Sequence, residues 1–419
     1  VPVRGGARPG RGRCWRHSRH GGGGDFRRGA VAADVDRLRA SLRANATVSI
    51  GVVLALTARV AEKDATAAGY VHWGATSQDV FDTGIVLCLR DAWPSIATDQ
   101  RRLASALDEL TVRHADTVML GRTLLQPALP TTFGLKTAGW LGSVTRSWAL
   151  LSDAFDRTQV LQFGGAAGTL ASLGAHGPAV ERALAAELGL EIPDAPWHVH
   201  RDRLAAFVAA AGVYVGAVGK VAGDITLLMQ AEVGEVAEAG GGSSAMPHKR
   251  NPARCAAVLA CAHRMPGLVA TMLSAMNQQH ERGAGGWHAE ASTLVDAVQT
   301  TAAATAALAD ALESLSVDEA RMRQNIEATR GVIFAERVVM AIAPELGRTA
   351  AAALVKGAVE EATRSARSLA DVVAATPGLA ERIPEARLAE LFQAGTYTGS
   401  AELFRTRLRS ASGAGHERT

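Results

Sequence analysis

The stretch Gly240-Gly-Gly-Ser-Ser-Ala-Met-Pro-His-Lys-Arg-Asn-Pro252 interrupts an otherwise apolar, alanine-rich sequence and decides how the rest is read. Its three consecutive glycines permit backbone conformations closed to other residues and let the chain approach a ligand closely. Ser243 and Ser244 place hydroxyls and amides at the same point. Lys249 and Asn251 follow, a charge and a hydrogen-bond donor that can address one anion. Pro252 suits the first position of a helix, and a helix N-terminus favours negative charge. The residues alone admit two readings, a carboxylate-binding loop with a potential nucleophile or base, and a flexible linker before a capped helix.

On either side of this loop, apolar residues recur at spacings of three and four over residues 138–158, 204–237, 253–278 and 289–312. Such runs exceed the usual globular helix length of about 8 to 20 residues. Hydrophobic residues make up 48% of the 419-residue chain and aromatics 5%, which favours helices with small residues at their contacts. The expected class is all-α, with a bundle buried on several faces, which points to oligomerisation. The expected division is a disordered Arg/Gly-rich segment over 1–30, a truncated or altered N-terminal helical domain over 31–113, a central long-helix domain over 114–350 and a small helical domain over 351–419. Pro377 and Pro384 punctuate the last of these.

The net charge of +3 is unevenly placed, because residues 1–30 hold eight Arg against the single acid Asp25. The rest is net acidic, so a nucleic-acid partner is not expected. The apolar run over residues 204–219 ends at Lys220, is too short to span a bilayer, and reads as a core helix. The Arg-rich N-terminus is followed by no apolar stretch of signal-peptide type. Cys14, Cys88, Cys255 and Cys261 show no CxxC spacing, which fits a reducing cytoplasm.

Two more glycine-bearing segments break the helical pattern. His72-Trp-Gly-Ala-Thr-Ser-Gln-Asp-Val-Phe-Asp-Thr83 places Thr76 and Ser77 where a hydroxyl can cap a helix begun by Gln78 and Asp79. Gly121-Arg-Thr-Leu-Leu-Gln-Pro-Ala-Leu-Pro-Thr-Thr-Phe-Gly134 reads as a polar loop. Loops on a rigid helical scaffold are where chemistry concentrates.

The thirteen-residue stretch 240–252 resembles the signature of the fumarase/aspartase superfamily of lyases, which includes argininosuccinate lyase, adenylosuccinate lyase and carboxymuconate cycloisomerase. That resemblance implies a three-domain all-α fold whose long central helices form a tetramer core, with sites built from three subunits. It implies Ser243 as the base, Ser244, Lys249 and Asn251 as substrate contacts, and Thr76 and Ser77 as hydrogen-bond donors to a distal carboxylate. His72, Gln126, His198 and Arg282 are further expected contacts. Proton abstraction next to a carboxylate generates a dianion that fixed donors must stabilise, in a loop that closes over the substrate. No metal or organic cofactor is implied; the partner is a small polycarboxylate.

Many elimination lyases of the superfamily carry His after the Arg-Thr pair, where this chain has Leu124, which cannot shuttle a proton. Bacterial carboxymuconate cycloisomerases carry an apolar residue there. Residues 161–169, 196–203, 280–282 and 287–290 also resemble their pattern, and Arg201 to Arg203 read either as site residues or as a structural ion network. The expected activity is therefore that of a 3-carboxy-cis,cis-muconate cycloisomerase. Two departures keep alternatives open: Glu238 runs almost directly into Gly240, and Ala291 stands after Glu290. These fit a C–N lyase releasing fumarate from a nitrosuccinate, adenylosuccinate or argininosuccinate type of substrate. A non-catalytic structural relative is the third reading.

Overall fold

The computed structural model describes residues 34–413 apart from 243, 244, 247 and 248. The expected disordered segment 1–30, Cys14, Ser243 and Ser244 lie outside the described residues. Five long helices dominate: α1 (Ser77–Arg113), α2 (Phe133–Arg157), α3 (Asp202–Leu228), α4 (Ala253–Ala275) and α5 (Gly286–Glu313). The class is all-α, as expected. The described strands form two small antiparallel pairs, β1 (Val118–Thr123) with β2 (Gln126–Thr132) and β3 (Val236–Ala237) with β4 (Ser316–Val317).

Two sequence expectations change. The run expected over 204–237 ends at Leu228; the chain then turns through Gly234 at φ +62° into β3. A glycine there supplies the left-handed turn that leads into the strand. The segment expected as a polar loop over 121–134 is instead a β-hairpin running directly into α2. Its turn is the pair Leu124-Leu125, at φ +49° and +65°. Both leucines stand exposed, 96% and 72%. Gly121 sits at an irregularity of the ladder, where a Cβ would come within 2.5 Å of the Leu129 carbonyl oxygen.

The residues cluster into two compact units, and each long helix contributes to both. The first gathers the described residues up to Pro94 with Asp153–Val208 and Leu268–Asp296. Its start is the pair of helices Val35–Asn45 and Ser49–Ala61, the former capped by Asp34, whose carboxylate accepts from the amides of Asp36 and Arg37. Trp93 stacks on Phe155 with ring centroids 4.1 Å apart.

The second unit comprises Ser95–Ser152, Ala209–Gly267 and the described residues from Ala297 on. Here the small residues act as the composition implies. A Cβ on Gly219 of α3 would lie 2.6 Å from the Ala262 Cβ of α4, so glycine is what allows these helices to touch. Tyr214 is fully buried, and its hydroxyl donates to Gln100 and accepts from Thr305. The C-terminal helices carry an apolar core of their own, from Val338 and Ile342 to Leu379 and Leu391.

By length and composition, α3 and α4 would each suffice to cross a membrane. The 27-residue length of α3 corrects the shorter run read from the sequence. Its most apolar window is 61% buried, as in the core helix of a globular protein, whereas that of α4 is 17% buried.

Candidate active site

In the first unit the organising group is Asp79, three residues after Thr76 and 3% exposed. Its carboxylate accepts from the backbone N–H of Thr76 at 2.9 Å, closing the first turn of α1 as an acid at that spacing does. It also accepts from the amides of Gly164 and Gly165 at 3.0 Å, and pairs with His198 Nε2 at 2.7 Å. Four donors surround one buried carboxylate, which is the condition under which such a group is tolerated.

The glycines are required by contact. A Cβ on Gly165, at φ +67°, would lie 2.8 Å from the Gly74 carbonyl oxygen, and one on Gly74, at φ +78°, would meet the Leu173 side chain at 2.6 Å. The 164–165 turn is thereby seated on the Thr-Ser segment. Thr76, Ser77 and His72 remain partly exposed beside it, while Gln78 is buried, its amide donating to the His198 carbonyl oxygen and to Asp82.

Arg282 lies in the connection between α4 and α5. Its Nη1 donates to Thr76 Oγ1 at 2.7 Å, and its Nη2 donates to the carbonyl oxygens of Gly165 at 3.2 Å and Ala166 at 3.0 Å. Its Nε is buried, with no partner among the described residues. Below this, Arg201 forms the ion network that the sequence left as one of two readings. Both its Nη atoms donate to Asp82 and its Nε donates to Glu290, all three side chains being buried. Trp287 Nε1 adds a bond to Asp82, and Gln278 one to Glu290 at 2.7 Å. Burial raises the Glu290 pKa above the ordinary carboxylate value, against the opposing pull of Arg201.

In the second unit the glycine-rich stretch is closed on itself. The Asn251 amide donates to the Gly241 carbonyl oxygen at 2.8 Å, and Gly242 bridges to Arg250 in antiparallel fashion. Gly241 stands at φ +68°, and a Cβ on it would lie 2.0 Å from the Asn251 carbonyl oxygen. Lys249 is exposed and Asn251 partly so. The helix N-terminus expected to attract an anion does attract one, but it is internal. The buried Glu238 carboxylate accepts from the amides of Arg254 at 3.0 Å and Cys255 at 2.9 Å. Cys255 is fully buried, and burial, reinforced by Glu238, raises its pKa well above the ordinary thiol range.

The hairpin root is fixed within the same unit. Arg122 donates from both Nη atoms to Glu235 at 2.9 and 2.7 Å, and Asn325 donates to the same carboxylate. Lys136 lies close by, its pKa lowered mainly by burial.

Of the expected contacts, His72, Thr76, Ser77, His198 and Arg282 belong to the first unit, and Gln126, Lys249 and Asn251 to the second. The structure joins Thr76 directly to Arg282, and joins His198 to Thr76 through Asp79. His198 is 3% exposed, with Nε2 committed to Asp79. Sequence reasoning placed Asp79 only at the start of a helix and assigned Glu235 and Glu238 no role. Only Asp79 left a signal, its capping distance from Thr76. Among the described residues no group of three or more His, Cys, Asp and Glu side chains could hold a metal ion.

An all-α scaffold of long helices carrying a glycine-serine loop, a capped Thr-Ser turn and an arginine-tied hairpin defines a lyase of the fumarase/aspartase fold. Residues 31–267 match the family model described as lyase, and residues 331–408 match that of the adenylosuccinate lyase C-terminus. The chain belongs to the lyase family of the fumarase/aspartase superfamily. It is 43% identical over 383 residues to 3-carboxy-cis,cis-muconate cycloisomerase of Bradyrhizobium diazoefficiens, covering 90% of this chain and 85% of that protein. It is 41% identical over 383 residues to nitrosuccinate lyase of Streptomyces davaonensis, covering 88% and 80%. The crystal structure of 3-carboxy-cis,cis-muconate lactonizing enzyme from Pseudomonas putida superposes with a TM-score of 0.87 at 41% identity, covering 91% of this chain and 86% of that one.

Proposed function

We propose that this chain catalyses the lactonisation of 3-carboxy-cis,cis-muconate. The supporting observation is the likeness, over most of the chain, to enzymes of that activity, and Leu124 at the hairpin tip accords with it. In the reaction a substrate carboxylate oxygen bonds to the far carbon of a conjugated double bond. The electron pair displaced toward the neighbouring carboxyl group forms an aci-carboxylate, and a proton delivered to the carbon alpha to that group completes the lactone. Atoms balance without a co-reactant.

Ser243 handles that proton, while Ser244, Lys249 and Asn251 hold the carboxylate next to it. Thr76, Ser77 and Gln126 hold the remaining carboxylates, with His72 beside them. Because Glu238 already fills the helix N-terminus, the charge facing the substrate at this loop comes from Lys249. The stabilisation required is that of fixed donors aimed at the developing dianion.

A homotetramer with shared sites is part of the proposal, supported by the little-buried apolar surface of α4. So is the three-domain division, supported by the separate C-terminal core. A cytoplasmic location accords with Cys88, Cys255 and Cys261 standing free. The alternative of a C–N lyase that releases fumarate is less favoured, since nitrosuccinate lyase stands beside several cycloisomerases of equal or higher identity.

A parallel ultraviolet assay with 3-carboxy-cis,cis-muconate and with substituted succinates tests both. Loss of the muconate absorbance with lactone formation is expected, and fumarate appearing from a succinate with muconate untouched overturns the reading. Ser243→Ala is expected to lower turnover by at least about a thousandfold, on the scale of losing the group that transfers the proton, with folding unchanged by circular dichroism. Retained turnover removes Ser243 from its role.

A further inference from the structure

Thr76 has one hydroxyl, able to accept a hydrogen bond and to donate one. Arg282 Nη1 at 2.7 Å can only donate, so it occupies a lone pair of Thr76 Oγ1 and cannot receive the hydroxyl proton. Among the described residues that proton makes no hydrogen bond. The Thr76 amide, meanwhile, is fixed by Asp79. The threonine is thus held by backbone and side chain in an orientation that leaves one thing free, a hydroxyl proton directed away from the guanidinium.

Arg282 itself is poorly placed to hold a ligand. Three of its five N–H donors are spent on protein acceptors, one on the Thr76 hydroxyl and two on carbonyl oxygens, and the Nε–H is buried. Those carbonyls belong to the turn whose amides bind Asp79, so the arginine closes a ring of contacts through Thr76, Asp79, Gly165 and itself. A guanidinium suits this because its planar fork reaches several acceptors in fixed directions, which an ammonium does not.

We infer that Arg282 is a positioning residue, which sets Thr76 as an obligate donor toward a substrate carboxylate and does not bind the substrate itself. The inference rests on the reading of this site as one for a polycarboxylate. It replaces the direct carboxylate contact expected for Arg282 from the sequence. The substrate carboxylate is then held at this end by a neutral hydroxyl, with the guanidinium one hydrogen bond behind it.

The test is a double-mutant cycle of Thr76→Val and Arg282→Gln, read in kcat/KM on whichever substrate the parallel assay identifies. It is read independently in the dissociation constant of propane-1,2,3-tricarboxylate by calorimetry. Each single substitution is expected to lower kcat/KM about 10- to 100-fold, mostly through KM, as loss of a hydrogen bond to a charged group does. The double variant is expected within about twofold of the weaker single, because both remove the same bond. Multiplied losses, about 100- to 10,000-fold, would show that Arg282 touches the ligand directly and overturn the inference. Melting temperatures establish that each variant folds; if Arg282→Gln does not, Arg282→Lys takes its place, keeping the charge but not the fork. Wild-type protein that binds the tricarboxylate yet leaves muconate unchanged would sink the proposed reaction, while the cycle in dissociation constants still decides the role of Arg282.

Discussion

Asp82, Arg201 and Glu290 set two carboxylates against one guanidinium in a buried site, and each partner bears a different risk. Removing the cation leaves two buried acids uncompensated, so Arg201→Met is expected to cost about 3–5 kcal/mol in chemical denaturation; a loss under about 1 kcal/mol contradicts the network's role. Glu290 behaves oppositely. Its folded-state pKa is raised, so the folded chain keeps the proton to a higher pH than the unfolded chain does. The associated stability is full below the unfolded value and is lost as pH rises through the folded one. Glu290→Gln is expected to flatten that decline in melting temperature as pH rises above the ordinary glutamate value. An unaltered slope would assign the decline to other groups.

At the scale of elements, the hairpin tip is the least regular feature. Its two left-handed residues belong to the turn type that asparagine and glycine favour, and here leucine occupies both places. Replacing Leu124-Leu125 by Asn-Gly is expected to stabilise the protein by about 1–3 kcal/mol, since left-handed leucine costs roughly 1–2 kcal/mol per residue. It is expected to lower turnover at least about tenfold if the apolar tip lines a site. A variant both more stable and fully active would make the leucines dispensable. Gly241→Ala acts in the other direction: its Cβ would collide with the Asn251 carbonyl oxygen, reopening the loop and lowering kcat/KM, whereas unchanged kinetics would mean that closure of that stem is immaterial.

These two elements also mark where sequence reading succeeds and stops. The long helices were legible because apolar residues recur three and four apart for many turns. The hairpin was not, since Leu-Leu carries no turn signal and prolines at 127 and 130 resemble loop punctuation. Thr76, Ser77 and Lys249 were readable as candidates, because small motifs keep them together. Asp79, Glu235 and Glu238 act through partners from 3 to 119 residues away, or through helix ends, and periodicity says nothing about such pairings.

For the whole molecule, α4 poses the main question. It is apolar enough for a membrane and little buried, with Leu273 half exposed. A second copy of the chain is the expected cover, since long helix faces of this kind stabilise closed symmetric oligomers. Sedimentation is expected to give a tetramer, and Leu273→Glu to shift it toward smaller species with loss of turnover. A wild-type monomer with full activity would remove the shared-site arrangement.

The interlocked turns at Gly74 and Gly165 bear on any attempt to change what the enzyme accepts. Neither backbone can take a side chain, and each leans on the other or on Leu173, so the path of the Thr-Ser segment is not open to diversification. Libraries placed at 74, 164 or 165 will mostly return misassembled variants. Trp73, largely exposed beside that path, is where new side chains can be sampled without moving the main chain, whereas His72 stands at φ +64° and tolerates few replacements. Substrate range in this scaffold is therefore best shifted by exchanging groups on a fixed frame.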